Sequence, residues 1–262
     1  MQDVFFRPPD GSGSPAAPSA QPGLLRCGGV SWSGCVVKFK PMDILHVDDF
    51  ILVINKPAGL PVLPDGWEPD APYLVKLLEA EYGKIWIVHR LDKVTTGVLV
   101  FARTAEAHRD LSLQFEKHQA MKTYHALAEG HPSWDQATAS QPLRGNVGHR
   151  HRTIVDRRKG KASRTLFKVI QRVRGYVLLE AQPITGRTHQ VRAHAAALGF
   201  PLLGDILYGA SSSNLIARPA LHAYSLVLVH PSTGILVSFE APDPDDFRSA
   251  LRTLTSSRAR AA

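Results

Sequence analysis

IWIVHRLDKVTTGVLVFA, residues 85–102, encloses a polar turn between two short apolar runs. Positions 86–89 and 98–102 are short, apolar and rich in β-branched and aromatic residues, so they read as buried strands. The intervening HRLDKVTTG, residues 89–97, is then a loop held by a rigid scaffold, which is where site residues concentrate. Taken alone, Asp92 beside Arg90 and ahead of Gly97 could equally be a turn-capping aspartate. Working outward, 51–55 reads as another buried strand. Residues 73–82 carry Leu74, Leu77 and Leu78 at helical spacing and stop at Gly83. The stretch 105–118, with Leu111 and Phe115 four apart, reads as a second helix, followed by a strand at 123–128. Residues 165–170 and 177–181 alternate as an antiparallel pair joined through Arg174 and Gly175. An alanine-rich helix is expected over 188–198, with Thr188 as N-cap and Gly199 as stop. Strands at 223–229 and 236–239 and a helix opened by Asp243 and Pro244 close the chain. The sum is an α+β or mixed α/β domain over 41–255 without internal repeats.

The flanks have a different composition. Residues 8–23 are rich in Pro, Gly, Ser and Ala with almost no bulky apolar side chains, which cannot offset the entropy of ordering. Residues 1–40 are therefore expected to be a mostly disordered leader, in which 24–40 could add an edge strand, and 256–262 a disordered tail. Lys and Arg outnumber Asp and Glu by 31 to 23 in 262 residues, a net charge of +8 that favours a polyanionic partner. Cys27 and Cys35 are too few and too widely spaced for a disulfide framework or a CxxC metal pair. The most apolar long window, 193–210, is broken by Gly199, Pro201, Gly204 and Asp205, so no membrane span is expected. MQDVFFRPPDGSGSP is not a signal peptide. A cytoplasmic protein follows.

Two further stretches carry charge. Residues 184–209, ITGRTHQVRAHAAALGFPLLGDILYG, place Arg187, His189, Gln190, Arg192 and His194 at or near a helix start. Such a terminus favours an anion, either an RNA phosphate or a carboxylate of the chain itself. His189 and His194 lack the HExxH pattern of a zinc site, so no metal is expected. The densest basic stretch, 144–164, contains Arg150, Arg152, Arg157, Arg158, Lys159 and Lys161 against one acid, Asp156. It reads as a mobile or β-hairpin arm that tracks RNA phosphates, the plainer alternative being a solvated hairpin.

Taken together, INKPAGLPV (54–62), HRLDKVTTGVLVFART (89–104), KTYHALAEG (122–130), GKASRT (160–165), the 184–209 stretch and LHAYSLVLVHPSTG (221–234) resemble the RluA-type branch of the pseudouridine synthases. The departures are Thr96 where serine is usual and Val191 where isoleucine is common. The resemblance implies a single pseudouridine-synthase-like catalytic domain, α+β, whose mixed and mostly antiparallel sheet is flanked by helices and loops. It implies isomerisation of uridine in folded ribosomal or transfer RNA, by a monomer without a cofactor. Asp92 matches the catalytic aspartate, and Arg90 the arginine that fills the space left by a flipped nucleotide. Tyr124 matches the tyrosine that stacks on the base and is a candidate for assisting removal of the C5 proton. Arg192 matches the basic residue that pairs with the aspartate, and a guanidinium gripping it at two points would favour its ionised form. Arg187 and His189 are carried as structural or RNA-contacting. The 40 residues ahead of the domain are too short for an S4-like RNA-binding domain, which points to the compact single-domain type. A non-catalytic RNA-binding module is disfavoured by the presence of Asp92, Tyr124 and Arg192. An aspartate-based hydrolase is disfavoured because the Asp92 motif has no second carboxylate.

Overall fold

In a computed structural model of the chain, which describes residues 42–64 and 71–256, the segment 96–102 is buried at every position. The reason lies in what covers it. The chain runs β1 (Asp43–Val47), β2 (Ile51–Lys56), α1 (Leu74–Tyr82), β3 (Trp86–Ile87), β4 (Thr96–Ala102) and α2 (Ala105–Glu116). Leu52, Ile54, Leu99 and Phe101 pack on one face against Leu74, Val75 and Leu78 of α1. Ile51, Val53, Val98 and Val100 pack on the other against Ala107 and Leu111 of α2. Strands covered on both faces read as continuous apolar runs, which is what these sequences are.

The rest of the sheet repeats this arrangement. There follow β5 (Met121–Glu129), β6 (Gln136–Ala139), β7 (Leu143–Val147), β8 (Arg152–Val155), β9 (Thr165–Val173), β10 (Tyr176–Pro183), α3 (Gln190–Ala197) and a 3-10 turn (Ile206–Tyr208). The chain then closes with β11 (Leu221–Val229), β12 (Leu236–Glu240) and α4 (Asp245–Ser256). Val191 and Ala195 of α3 lie against Ala126 and Ala128 of β5. Phe247, Ala250 and Leu254 of α4 lie against Leu127 on its opposite face.

The strand order is β1-β2-β4-β11-β5-β10-β9-β6, with β12 on β11, β3 on β4, and β7-β8 as a separate hairpin. Among the described residues β4 and β11 form the one parallel pair in the main sheet. That seam positions the site. Ala223 of β11 lies between Gly97 of β4 and Tyr124 of β5, and Tyr124 in turn opposes Ala181 of β10, which leads into the α3 loop. The α+β class, with a mixed and mostly antiparallel sheet, is as expected.

Two expectations need correction. The 86–89 strand ends at Ile87, because His89 substitutes its side chain for strand backbone: its Nε2 accepts the Val100 N–H at 3.2 Å and its ring stacks on Phe115. Helix α3 starts at Gln190, not Thr188, and its N-cap is His189, in a left-handed conformation (φ 51°) without a side-chain capping bond. The expected leader 1–40, with its possible edge strand, and residues 257–262 of the expected tail lie outside the described residues. No described helix is long and apolar enough to cross a membrane.

Gly97 shows why the HRLDKVTTG turn ends as it does. It sits at φ +114°, and a Cβ there would lie 2.1 Å from the Ala223 carbonyl oxygen. Backbone contact this close cannot be relieved by turning a side chain. Gly97→Ala is expected to destabilise the fold by about 3 kcal/mol or more, combining overpacking with backbone strain. Denaturant unfolding of the variant checks this, and a midpoint equal to that of the parent would contradict it.

Candidate active site

The loop that carries Asp92 is pinned from below. Lys56, at the end of β2, is fully buried, and its Nζ donates to the carbonyls of Pro57 (2.9 Å), Lys93 (3.1 Å) and Thr95 (2.9 Å). The Gly59 N–H also donates to Lys93 O at 2.8 Å. Arg218 reaches the Val94 carbonyl at 3.4 Å while its fork holds Asp246. One turn bond, Thr95 N–H to Asp92 O at 3.0 Å, completes the loop. Burial pulls the Lys56 ammonium down to about 7 against the opposing pull of Asp92. The substitution at Thr96 keeps its chemistry: its hydroxyl lies 2.8 Å from His222 Nδ1, while His222 Nε2 faces the Ala241 carbonyl at 3.0 Å.

Asp92 thereby faces a cleft of about 930 Å³, lined among others by Arg90, Lys122, Tyr124, Arg187 and His189. Its side chain is 25% exposed, whereas that of Arg192 behind it is 6% exposed and does not line the cleft. Arg192 Nη1 lies 3.4 Å from Asp92 Oδ2. The two-point grip expected there falls elsewhere. Arg192 Nε and Nη2 donate to the two oxygens of Asp205 at 2.7 and 2.9 Å. Asp205 is 1% exposed, and a carboxylate so buried must be fully paired, whereas a reacting carboxylate must keep an oxygen for its substrate. Arg192 accordingly meets the cleft only through Asp92.

The other members of the basic row divide by function. Gln190 fills the start of α3 itself, accepting from Arg187 N–H and Thr185 Oγ1 and donating to Arg164 O and Thr165 Oγ1. His194 is fully buried between Thr165 Oγ1 (2.8 Å) and Gln141 O (3.0 Å), a structural tie. Arg187 is exposed at the cleft and leans on the Ala162 carbonyl. His189 lines the cleft with Nε2 3.7 Å from Asp92 Oδ2 and Nδ1 3.1 Å from the Tyr208 hydroxyl. Burial, offset in part by Asp92, holds its imidazole below its ordinary value. Burial, with Asp92 adding to it, raises the Tyr124 phenol above its ordinary value. His89 is pushed down to about 3 by burial and by Lys122, so it serves the loop as a neutral acceptor.

The basic stretch is a hairpin, β7-β8, docked beside this site. The Thr153 N–H donates to the Tyr208 hydroxyl at 3.0 Å, Thr153 Oγ1 donates to Thr188 O at 2.9 Å, and Arg152 covers the Tyr208 ring. Arg150, Arg152, Arg157, Arg158, Lys159 and Lys161 are all exposed, and none lines the cleft. Asp156 is drawn to one of them, Lys159. Its oxygens accept from the N–H groups of Arg158 and Lys159 and pair with Arg144.

One described cluster has metal-ligand chemistry, His46, Asp48 and His230, away from the cleft. Both imidazole Nε2 atoms point at Asp48 Oδ2 at 2.9 Å, and Oδ1 accepts the N–H groups of Phe50 and Ile51. The N–H groups of Ser232 and Thr233 face His230 Nδ1, which puts its proton on Nε2 where a metal would need a lone pair. The cluster fits a hydrogen-bonded pin between β1 and the end of β11 better than a metal site.

The sequence profile described as RNA pseudouridylate synthase matches residues 50–197, from β2 to the end of α3. The chain belongs to this family. Its members are isomerases that convert uridine in RNA to pseudouridine. A ribosomal large subunit pseudouridine synthase D from Zymomonas mobilis is 36% identical over 231 residues, covering 82% of this chain and 73% of the relative. The dual-specificity RNA pseudouridine synthase RluA of Escherichia coli K12 is 37% identical over 201 residues, covering 76% of this chain and 92% of its own length. The solved structure of human RNA pseudouridylate synthase domain containing 4 superposes with a TM-score of 0.67 at 27% identity, covering 81% of this chain and 92% of the other.

Within this synthase, Lys56 and Asp205 are the site residues that sequence reasoning missed. Each had a signal. Asp205 is a charge set among Leu202, Leu203 and Ile206, and Lys56 closes the strand that opens with the apolar run ILVI. An ionisable group in an apolar run has to have a partner. Lys56→Met should leave the Pro57 and Thr95 carbonyls without their donor, Lys93 O keeping the Gly59 N–H, lowering stability by on the order of 3 kcal/mol and disordering the Asp92 loop. The pH dependence has a defined sign. Between about 7 and the ordinary 10.5 the folded state holds fewer protons at Lys56 than the unfolded chain, so stability rises with pH there. Denaturation curves across that interval should show the rise in the parent and a flatter profile in Lys56→Met; superimposable profiles would contradict the assignment.

Proposed function

We propose that this synthase isomerises specific uridines of structured ribosomal or transfer RNA by flipping the nucleotide into the cleft, where Asp92 is the essential carboxylate. The observation that carries this reading is the meeting of Asp92, Tyr124 and Arg192, from positions far apart in the chain, around one cleft and its wall. Its volume, about 930 Å³, lies in the range that encloses a small-molecule ligand. A uridine in folded RNA cannot reach a carboxylate at the base of a cleft unless it leaves its stack, at a cost of a few kcal/mol. Arg90 is exposed beside Asp92 and can fill the gap. Tyr124 offers a stacking face worth about 1–3 kcal/mol. Asp92 then acts at the sugar while the C1′–N1 bond is exchanged for C1′–C5. Arg192 keeps the carboxylate turned to the cleft and supplies positive charge without competing for the nucleotide.

The hairpin cations Arg150, Arg152, Arg157, Arg158, Lys159 and Lys161, with Arg187 and His189 at the rim, form the surface that tracks RNA phosphates. The choice of ribosomal or transfer RNA follows the relatives, one named for the large ribosomal subunit and one for dual specificity. The exchange of one glycosidic bond for another involves no net redox change and loses no group, so we read the enzyme as working without a cofactor. We read it further as a cytoplasmic monomer.

Asp92→Ala and Asp92→Asn should abolish pseudouridine formation on a stem-loop substrate while RNA affinity persists. Replacing Arg157, Arg158 and Lys159 by Ala should weaken binding and reduce the slope of log affinity against log salt by about 2–3. Turnover by the Asp92 variants near the parental rate would overturn the site, and an unchanged salt slope would overturn the arm.

A further inference from the structure

His189 has a geometry that a phosphate contact does not need. Its backbone is left-handed, at φ 51° and ψ 23°, a conformation that is uncommon outside glycine and that clusters at functional sites. The turn sends the ring out of α3 and into the cleft, edge-on to Tyr208 with centroids 5.8 Å apart. With its proton on Nδ1, which donates to the Tyr208 hydroxyl at 3.1 Å, the neutral ring keeps the Nε2 lone pair beside Asp92, at 3.7 Å from Oδ2.

We propose that His189 Nε2 is the base that removes the C5 proton after the uracil has rejoined the sugar. This inference rests on Asp92 being the carboxylate that acts at the sugar. The isomerisation breaks C1′–N1 and forms C1′–C5, which leaves C5 carrying both the sugar and its original hydrogen. The C5–H bond must then break. Its electron pair restores the C5=C6 double bond, the pair displaced from the ring settles on N1, and N1 takes a proton from water. The proton released from C5 goes to Nε2 and then to solvent, so the overall reaction is proton-neutral.

The position follows from the chemistry. C1′ has to lie against Asp92, and C5 becomes directly bonded to C1′, so the proton is released from an atom one bond away from the carbon that faces that carboxylate. A cleft group 3.7 Å from Asp92 Oδ2 is in reach of it. Tyr124, the other candidate, keeps a protonated phenol and offers a weaker lone pair. His189 faces Asp92, Arg192, Asp205 and Tyr208. Burial keeps its imidazole neutral and able to accept, while the two carboxylates favour the imidazolium once it forms.

The test uses a stem-loop RNA with deuterium at C5 of the target uridine, and the variants His189→Asn and His189→Gly, both of which tolerate left-handed backbone. Each should still bind RNA, with no more than the small loss of affinity expected from one rim contact, form product roughly 100-fold more slowly, and show a primary isotope effect at C5 larger than the parent's. Parental rates in either variant, or slow turnover with no increase in the isotope effect, would overturn the proposal. Asp92→Ala, assayed alongside, should break no glycosidic bond. If it turns over, the underlying reading of the site fails whatever the His189 variants do.

Discussion

A single buried guanidinium holds the site together. Arg192 is clasped at two points by Asp205 and reaches Asp92 with its remaining nitrogen. One arginine thus meets two carboxylates in different ways: Asp205, sealed from water, is gripped at both oxygens, and Asp92, open to the cleft, is reached through one nitrogen. Breaking a buried pair by removing one partner strands a charge, commonly at several kcal/mol. The same bond network therefore supports stability and alignment, and neither can be changed without the other.

Around that contact the fold supplies rigidity from separate parts of the chain. The parallel seam between β4 and β11 puts Gly97, Ala223 and Tyr124 side by side, while Lys56 and Arg218 hold the carbonyls of the intervening loop. Tyr208 joins three further components, touching His189, Arg192 and the docked hairpin at Thr153. The hairpin that presents the cations is thereby tied to the residues around Asp92, so RNA held by the arm would be held at a fixed distance from the cleft.

Much of this was legible in the sequence, for physical reasons. Strands 51–56 and 96–102 are buried on two faces and announce themselves as apolar runs, and Gly83 and Gly175 mark a helix end and a hairpin where backbone with positive φ is required. The HRLD loop and the motif around Arg192 pointed to the site because several matching stretches occurred in order. Other features were not legible. Thr188 looked like a cap by residue type, yet the turn ahead of α3 is closed by Gln190 and entered through a left-handed histidine, a choice made by tertiary contacts. His89 looked like strand and is a side-chain acceptor. Asp205 and Lys56 stood within recognised stretches, but their partners lie 13 and 37–39 positions away, beyond what local pattern can pair.

The most direct test of the account is a crystal structure of the synthase with an RNA stem-loop bound. The nucleotide should be flipped into the cleft with its C1′ against an Asp92 oxygen and its base on Tyr124, while Arg192 still grips Asp205 and makes no contact with RNA. A nucleotide seated away from Asp92, or Arg192 released from Asp205 to hold a phosphate, would contradict it.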